Sequence, residues 1–344
     1  MDLVKVLEKL SAAPGPAGME GGAAEVAIAL LQPYMDDVSV DVMGNVIGLK
    51  SCGKPGAKRV LLEAHLDEIG FVVTGTKDGF LTLAAVGSID PRYLPGAQLQ
   101  VLTNPPRPGV FACLPPHVLT PEDMKKGLEL EDMALDVGLS DEEAKKIPLG
   151  TPVIFDLSPM AMGEGLFCGK SLDNRASIAA IVLALHRTAD KPAQVDIQVV
   201  FSSQEEIGCR GAEPVLYALN PDYFLAVDVT FAQTPDVDTC KALPMKSGAA
   251  IGIGPFLNRN LTARLKKLAE AGGIPHEMEV LPSRTGTTAD KGQISRAGVP
   301  TALISLPLKY MHCPREIVCL SDIEAVADLI AAFIQDIGGG ENYA

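Results

Sequence analysis

The sequence predicts an α/β protein: a mixed sheet covered by helices, built from both ends of the chain, with a small all-β module inserted between them. Three observations carry that expectation. Beyond about residue 166, apolar strand-like runs alternate with helical patterns, as in a largely parallel or mixed sheet. Between about 70 and 165 the runs are short and separated by Gly and Pro turns, as in an all-β unit. Hydrophobic residues are 47% of the 344, enough to bury a sizeable core and to exclude global disorder. The expected division is 1–69 and 166–344 for one domain and 70–165 for the insert.

Taken in order, residues 2–35 read as two helical pieces broken at Ala13-Pro14-Gly15-Pro16-Ala17-Gly18. Arg59–Ala64 reads as a buried strand running into His65-Leu66-Asp67-Glu68. In the insert, Phe71–Thr74, Phe80–Ala84, Gln98–Leu102 and Val153–Phe155 read as strands, and Glu122–Lys146 as a charged surface stretch with some helix. Then follow an apolar helix over Ser171–Thr188, a strand over Val195–Phe201 and a strand over Tyr223–Val229. A helix over Asn260–Ala271, a strand over Pro300–Leu306 and a helix over Ser321–Ile334 complete the chain. Ser321 with Glu324 three residues on predicts a capping box for the last helix.

The net charge of −14 repels phosphate backbones and argues against a nucleic-acid partner. The seven cysteines are dispersed, with none in a Cys-x-x-Cys spacing, and read as free thiols of a reducing compartment. No targeting segment is recognisable, and Ala176–Leu185 is too short to span a bilayer. The expected location is the cytoplasm, away from membranes.

The chemistry is read from acids and histidines at strand ends, where open α/β sheets collect ligands. His65 and Asp67, Glu205 and Glu206, Asp228, and His312 after a short loop all stand at such ends, and Asp173 opens a helix. Asp228 lies inside Leu225-Ala226-Val227-Asp228-Val229, where a buried carboxylate is costly unless paired or metal-bound. Two histidines and three carboxylates suit a pair of borderline divalent ions such as zinc, cobalt or manganese. Asp67, two residues from His65, is placed to orient a ligating imidazole. His117, His186 and His276 read as structural.

Five motifs then occur in order: Ala64-His65-Leu66-Asp67-Glu68-Ile69-Gly70-Phe71, Leu172-Asp173-Asn174-Arg175, Gln204-Glu205-Glu206-Ile207-Gly208, Val227-Asp228-Val229-Thr230 and Tyr310-Met311-His312-Cys313-Pro314. Together they resemble the tetrahedral, dodecameric (TET) metallo-aminopeptidase family, which includes glutamyl and leucyl aminopeptidases and cellulase-M-like proteins. The resemblance implies a zinc-peptidase-like α/β sandwich with an inserted β-barrel dimerisation domain. It implies two divalent ions, zinc or cobalt, with Asp173 bridging them. His65 and Asp228 would complete one site, Glu206 and His312 the other. Asp67 would orient His65. Glu205 would be the general base toward a metal-bridging water that attacks the scissile bond of a short peptide. It also implies a dimer-built homododecamer.

One stretch departs from the family: Gly286-Thr287-Thr288-Ala289 stands where Gly-Thr-Asp-Ala is usual, a change that spares every implied ligand. The alternatives are a binuclear hydrolase of N-acylated or other amides, and a catalytically weak scaffold of the same fold. Side-chain specificity is not readable at this level.

Overall fold

The computed structural model describes residues 1–122, 125–235, 237 and 241–337. Its frame is an 11-stranded mixed sheet. At the centre Asp196–Ser202, Arg59–His65, Tyr223–Phe231 and Thr301–Lys309 run side by side and parallel. Antiparallel strands flank this parallel core, including Val46–Lys50 on one side and Glu316–Cys319 on the other. The expected mixed-sheet α/β architecture is what the chain adopts.

The central strands are apolar without a break because both sheet faces are covered. Alternate residues divide between two cores, as the strand's period of two requires. Val60, Leu62 and Ala64 pack with the helices Leu3–Ala12, Leu172–Thr188 and Leu320–Asp336, whereas Leu61, Phe224 and Leu303 pack under Ala212–Leu219. Leu172–Thr188 lies between helices and sheet, which is why it is apolar on every side. On the opposite face Gly292 allows the short helix Ala289–Gly292 to touch the ring of Phe224. A methyl carbon there would sit 2.0 Å from that ring.

Residues between the two halves of the sheet form a closed barrel of six strands, Gly70–Lys77, Phe80–Val86, Ala134–Asp136, Arg107–Ala112, Gln98–Val101 and Pro152–Phe155 in circuit order. Its core is separate from the two sheet cores. There the ring of Phe71 meets those of Phe111 and Phe155 edge-on, at 5.2 and 5.6 Å.

Two local expectations need correction. The last helix begins at Leu320 and its N-cap is Cys319, which makes no side-chain cap bond, so no Ser321–Glu324 capping box forms. The strand Glu316–Cys319 runs straight into that helix and its sheet pairing sets the start. Asp322 in the first turn instead accepts the amides of Lys246 and Gly248 at 2.8 and 2.9 Å. The helix predicted from Ser171 also starts later: Ser171 is left-handed, and Asp173 and Asn174 have non-helical backbones. Cys52, Cys113, Cys168, Cys209, Cys313 and Cys319 are free thiols. Cys240 lies outside the described residues, as do Asp123 and Met124 of the charged surface stretch. No helix among the described residues is long and apolar enough to cross a membrane.

Candidate metal centre

The parallel strands deliver their carboxyl ends to one place. His65 is the last residue of its strand and pairs in register with Ser202, three residues before Glu205. Asp228 stands near the end of the next strand, in register with Ser305. The loop after Thr301–Lys309 brings His312, and the turn into Leu172–Thr188 brings Asp173.

Asp173 is the meeting point. Its Oδ1 is 3.0 Å from His65 Nε2 and its Oδ2 is 3.4 Å from His312 Nε2. His65 Nε2 is also 4.0 Å from Asp228 Oδ1, and His312 Nε2 is 3.3 Å from Glu206 Oε2. Two donor groups result, His65–Asp173–Asp228 and Asp173–Glu206–His312, each with its ligand atoms within 4.8 Å of one another. Asp173 belongs to both. Imidazole nitrogens and carboxylate oxygens are the donors that zinc and cobalt accept.

The protonation balance fits a cation. Burial holds Glu206 and Asp228 well above the usual carboxylate range, and the charge of Asp173 adds to the rise in both. For Asp173 itself burial acts upward, but the hydrogen bonds of His312 and His65 outweigh it and hold the carboxyl low. Burial lowers both imidazoles, and their bonds to Asp173 more than reverse this. Carboxylates packed this closely without positive charge push protons onto one another. Divalent ions would remove that conflict.

Asp67 touches both His65 and the turn that carries Glu205 and Glu206. Its carboxylate accepts the amides of Glu205 and Glu206 at 2.9 and 3.1 Å. Its Oδ1 is 3.5 Å from His65 Nδ1, and its own carbonyl is nearer at 3.3 Å. It ties the Glu205–Glu206 turn to the His65 strand. Glu205 lines the cavity in front of the donor groups, and Cys209 Sγ donates to its Oε1 at 2.9 Å. Burial raises the Glu205 carboxyl. The cavity measures about 780 Å³ and also includes Thr230, Lys241, Glu279 and Thr287 in its wall. His117, His186 and His276 stand apart from both donor groups.

Sequence reasoning missed Glu316. It is buried, and its two carboxylate oxygens accept the amides of Asp173 and His312 at 3.0 and 3.1 Å. One carboxylate thus sets the backbone of a residue in each donor group. A weaker signal was present: an acid opening the apolar strand Glu316–Cys319, where Asp228 stands inside its own. The site loops also carry backbone strain. Ser171, Gln204, Cys209, Tyr310 and His312 are five of the nine non-glycine residues with positive φ among the described residues.

Thr288 lies outside the cavity wall. It is buried, and its hydroxyl donates to Glu63 Oε2, while Ser202 Oγ donates to Oε1 at 2.5 Å. Burial pushes the Glu63 carboxyl up to about 7, against those two hydroxyls. An acid at 288 would put a second carboxyl against this one in a dry pocket. Thr288→Asp is therefore expected to destabilise the fold by about 2–4 kcal/mol. A urea midpoint equal to that of the unaltered protein would show that Glu63 and position 288 do not interact in this way.

A parallel-centred sheet, a closed barrel and a buried histidine–carboxylate cluster at the strand ends define a class: metal-dependent aminopeptidases, hydrolases that act on peptide bonds. Residues 44–329 match the family model described as M42 glutamyl aminopeptidase, and the chain belongs to that family. It is 32% identical to the lysyl aminopeptidase of Pyrococcus furiosus over 341 residues, 97% of each chain. It superposes with a TM-score of 0.92 on the TET aminopeptidase of a marine sediment archaeon (Thaumarchaeota), at 27% identity and covering 97% of this chain and 96% of that one. With Pyrococcus horikoshii TET1 peptidase, which can assemble into a tetrahedron or a large octahedral shell, the TM-score is 0.83 at 27% identity, with coverage of 97% and 99%.

Proposed function

We propose that this chain is a two-metal aminopeptidase that removes N-terminal residues from short peptides. The observation that carries the reading is the double engagement of Asp173, one oxygen facing His65 and the other His312. In this reading Asp173 bridges, His65 and Asp228 complete one site, and Glu206 and His312 complete the other. Zinc and cobalt are the ions the donor set favours. When bound, such a pair supplies a Lewis acid for the scissile carbonyl, an anchor for the substrate's free amine, and a water whose pKa falls toward about 7.

The chain's own groups do the rest. Glu205 takes a proton from the attacking water on a carboxylate oxygen and passes it to the leaving amine nitrogen. Its raised carboxyl suits a group that must both accept and return a proton near neutral pH. Asp67 fixes the amides of Glu205 and Glu206 together, so base and ligand keep one mutual geometry. Glu316 does the same for Asp173 and His312.

The division of labour follows. Residues 1–69 and 166–344 carry the site, and 70–165 form an inserted barrel for dimerisation. Val110, Leu114 and Val118, exposed large apolar residues on and beside the barrel, support an interface there. A dimer-built homododecamer agrees with the shells described for the TET1 relative. The free thiols support a reducing, cytoplasmic location.

The test pairs metal removal with a substrate panel. Dialysis against a chelator should abolish hydrolysis of peptides with free N-termini, and zinc or cobalt should restore it. N-acetylated versions of the same peptides should remain uncut. Preference for the blocked peptides would establish the amidohydrolase reading instead. No metal uptake and no hydrolysis under any condition would establish a scaffold.

A further inference from the structure

The turn that carries Glu205 is held by more than Asp67. It leaves the strand Asp196–Ser202, and four consecutive amides in it are each accepted by a side-chain oxygen. Ser203 N–H donates to Asn45 Oδ1 at 2.9 Å and Gln204 N–H to Glu20 Oε1 at 3.1 Å, while Glu205 and Glu206 donate to Asp67 at 2.9 and 3.1 Å. Asn45 and Asp67 flank the sheet strands Val46–Lys50 and Arg59–His65. Glu20 comes from outside the sheet, where the loop after the helix Leu3–Ala12 enters the helix Gly21–Leu31.

Glu20 forgoes a local role to reach that turn. It stands at the N-cap of Gly21–Leu31, yet its side chain makes no cap bond. The oxygen that accepts Gln204 also accepts the Gly18 amide at 2.6 Å. The residue is only 5% exposed, a costly place for a carboxylate unless its bonds matter. The loop beneath it is itself fastened to the His65 segment. Gly15 N–H donates to Glu68 Oε1 at 2.9 Å, and Ala17 N–H to the Glu68 carbonyl at 3.2 Å.

The target of that bond is a strained residue. Gln204 has φ of 57°, a left-handed conformation that costs a side-chain-bearing residue about 1–2 kcal/mol. That reversal takes the chain off the strand line just before Glu205, which then lines the cavity. An acceptor fixed opposite the Gln204 amide offsets the strain and limits the turn to one conformation.

We propose that Glu20 is a positioning residue for Glu205: by holding the Gln204 amide it sets where the next side chain delivers its carboxylate. The assignment rests on Glu205 being the base. Glu20 touches neither donor group, so it acts on the turn and not on the metal sites.

The test is a cycle of E20A, E205Q and the double variant in metal-loaded enzyme, with kcat, KM, metal content and urea midpoint measured on each. E20A should lose about 10–10²-fold in kcat, the scale of a small misplacement of a reacting group, with KM and metal content little changed. E20Q keeps an oxygen acceptor and should retain most of the turnover. E20D withdraws the carboxylate by one methylene, should lose turnover as E20A does, and carries the test if E20A fails to fold. In the E205Q background the same change at 20 should cost almost nothing further, because two residues acting through one step are not additive. Amide exchange over 203–206 should also quicken in E20A, with or without metal. Unchanged kcat in both E20A and E20D, an equal loss in the E205Q background, loss of metal, or unaltered exchange would each overturn the assignment. A merely structural Glu20 would lower the urea midpoint and leave kcat of the folded fraction intact. Failure of the base reading looks different: E205Q alone then keeps its turnover.

Discussion

Glu205→Gln is expected to lower kcat by about 10²–10⁴-fold while leaving metal content and fold unchanged. Glutamine keeps the shape of the side chain and can still take the Cys209 thiol bond on its amide oxygen. It cannot accept a proton from water. Because Glu205 belongs to neither donor group, both ligand sets survive the change. Metal analysis and turnover on one sample separate the outcomes. Retained turnover would remove Glu205 as the base, and lost metal with lost turnover would make it a ligand. Asp67 behaves differently, since its carboxylate secures the amides of both Glu205 and Glu206, and its loss would disturb the proposed base and the proposed ligand together.

Glu68→Gln should destabilise the fold by about 3–5 kcal/mol, the usual consequence of removing one partner from a buried ionic cluster. Glu68 is 2% exposed, and it faces Lys170 at 3% and Arg175 at 0%. Lys170 Nζ donates to its oxygens at 2.7 and 2.9 Å, and Arg175 Nη2 donates at 3.2 Å. The two shifts in the cluster are not mirror images. Burial acts upward on Glu68, yet two cations together hold its carboxyl below the ordinary range. Lys170 meets two anions, Glu68 and Glu316, and one cation, Arg175, in a dry site, and burial brings it down to about 8. Glutamine would remove the carboxylate that both buried cations bond directly. Arg175 also binds the carbonyls of Leu10 and Leu66 at 2.7 and 3.2 Å, and Glu68 accepts the amide of Gly15 at 2.9 Å. The cluster therefore fastens the first helix and its following loop beneath the His65 and Asp173 segments. Chemical denaturation at neutral pH measures the loss. An unchanged midpoint would mean that the two cations find other partners.

Much of this was legible before folding. The strand Arg59–His65 and the helix Leu172–Thr188 announce themselves because the sheet is covered on both faces and the helix on all sides, so their burial is written as unbroken apolar runs. The barrel showed as a change of period with Gly and Pro punctuation. Helix starts were less legible. Ser321 and Glu324 satisfy a capping pattern locally, but the strand entering the helix fixes its first turn.

By itself the sequence determined the fold class and the family pattern and singled out seven candidate residues, because carboxylates inside apolar strands and histidines at strand ends are local, costly choices. Tertiary structure alone decided which of them meet. His65 and Asp173 are 108 residues apart in the chain and 3.0 Å apart in space. No local pattern encodes that Glu316 holds Asp173 and His312, that Asp67 grips the Glu205–Glu206 turn, or that Thr288 turns away toward Glu63. Each depends on register between distant strands, and register is set by packing across the whole sheet rather than by neighbours in sequence.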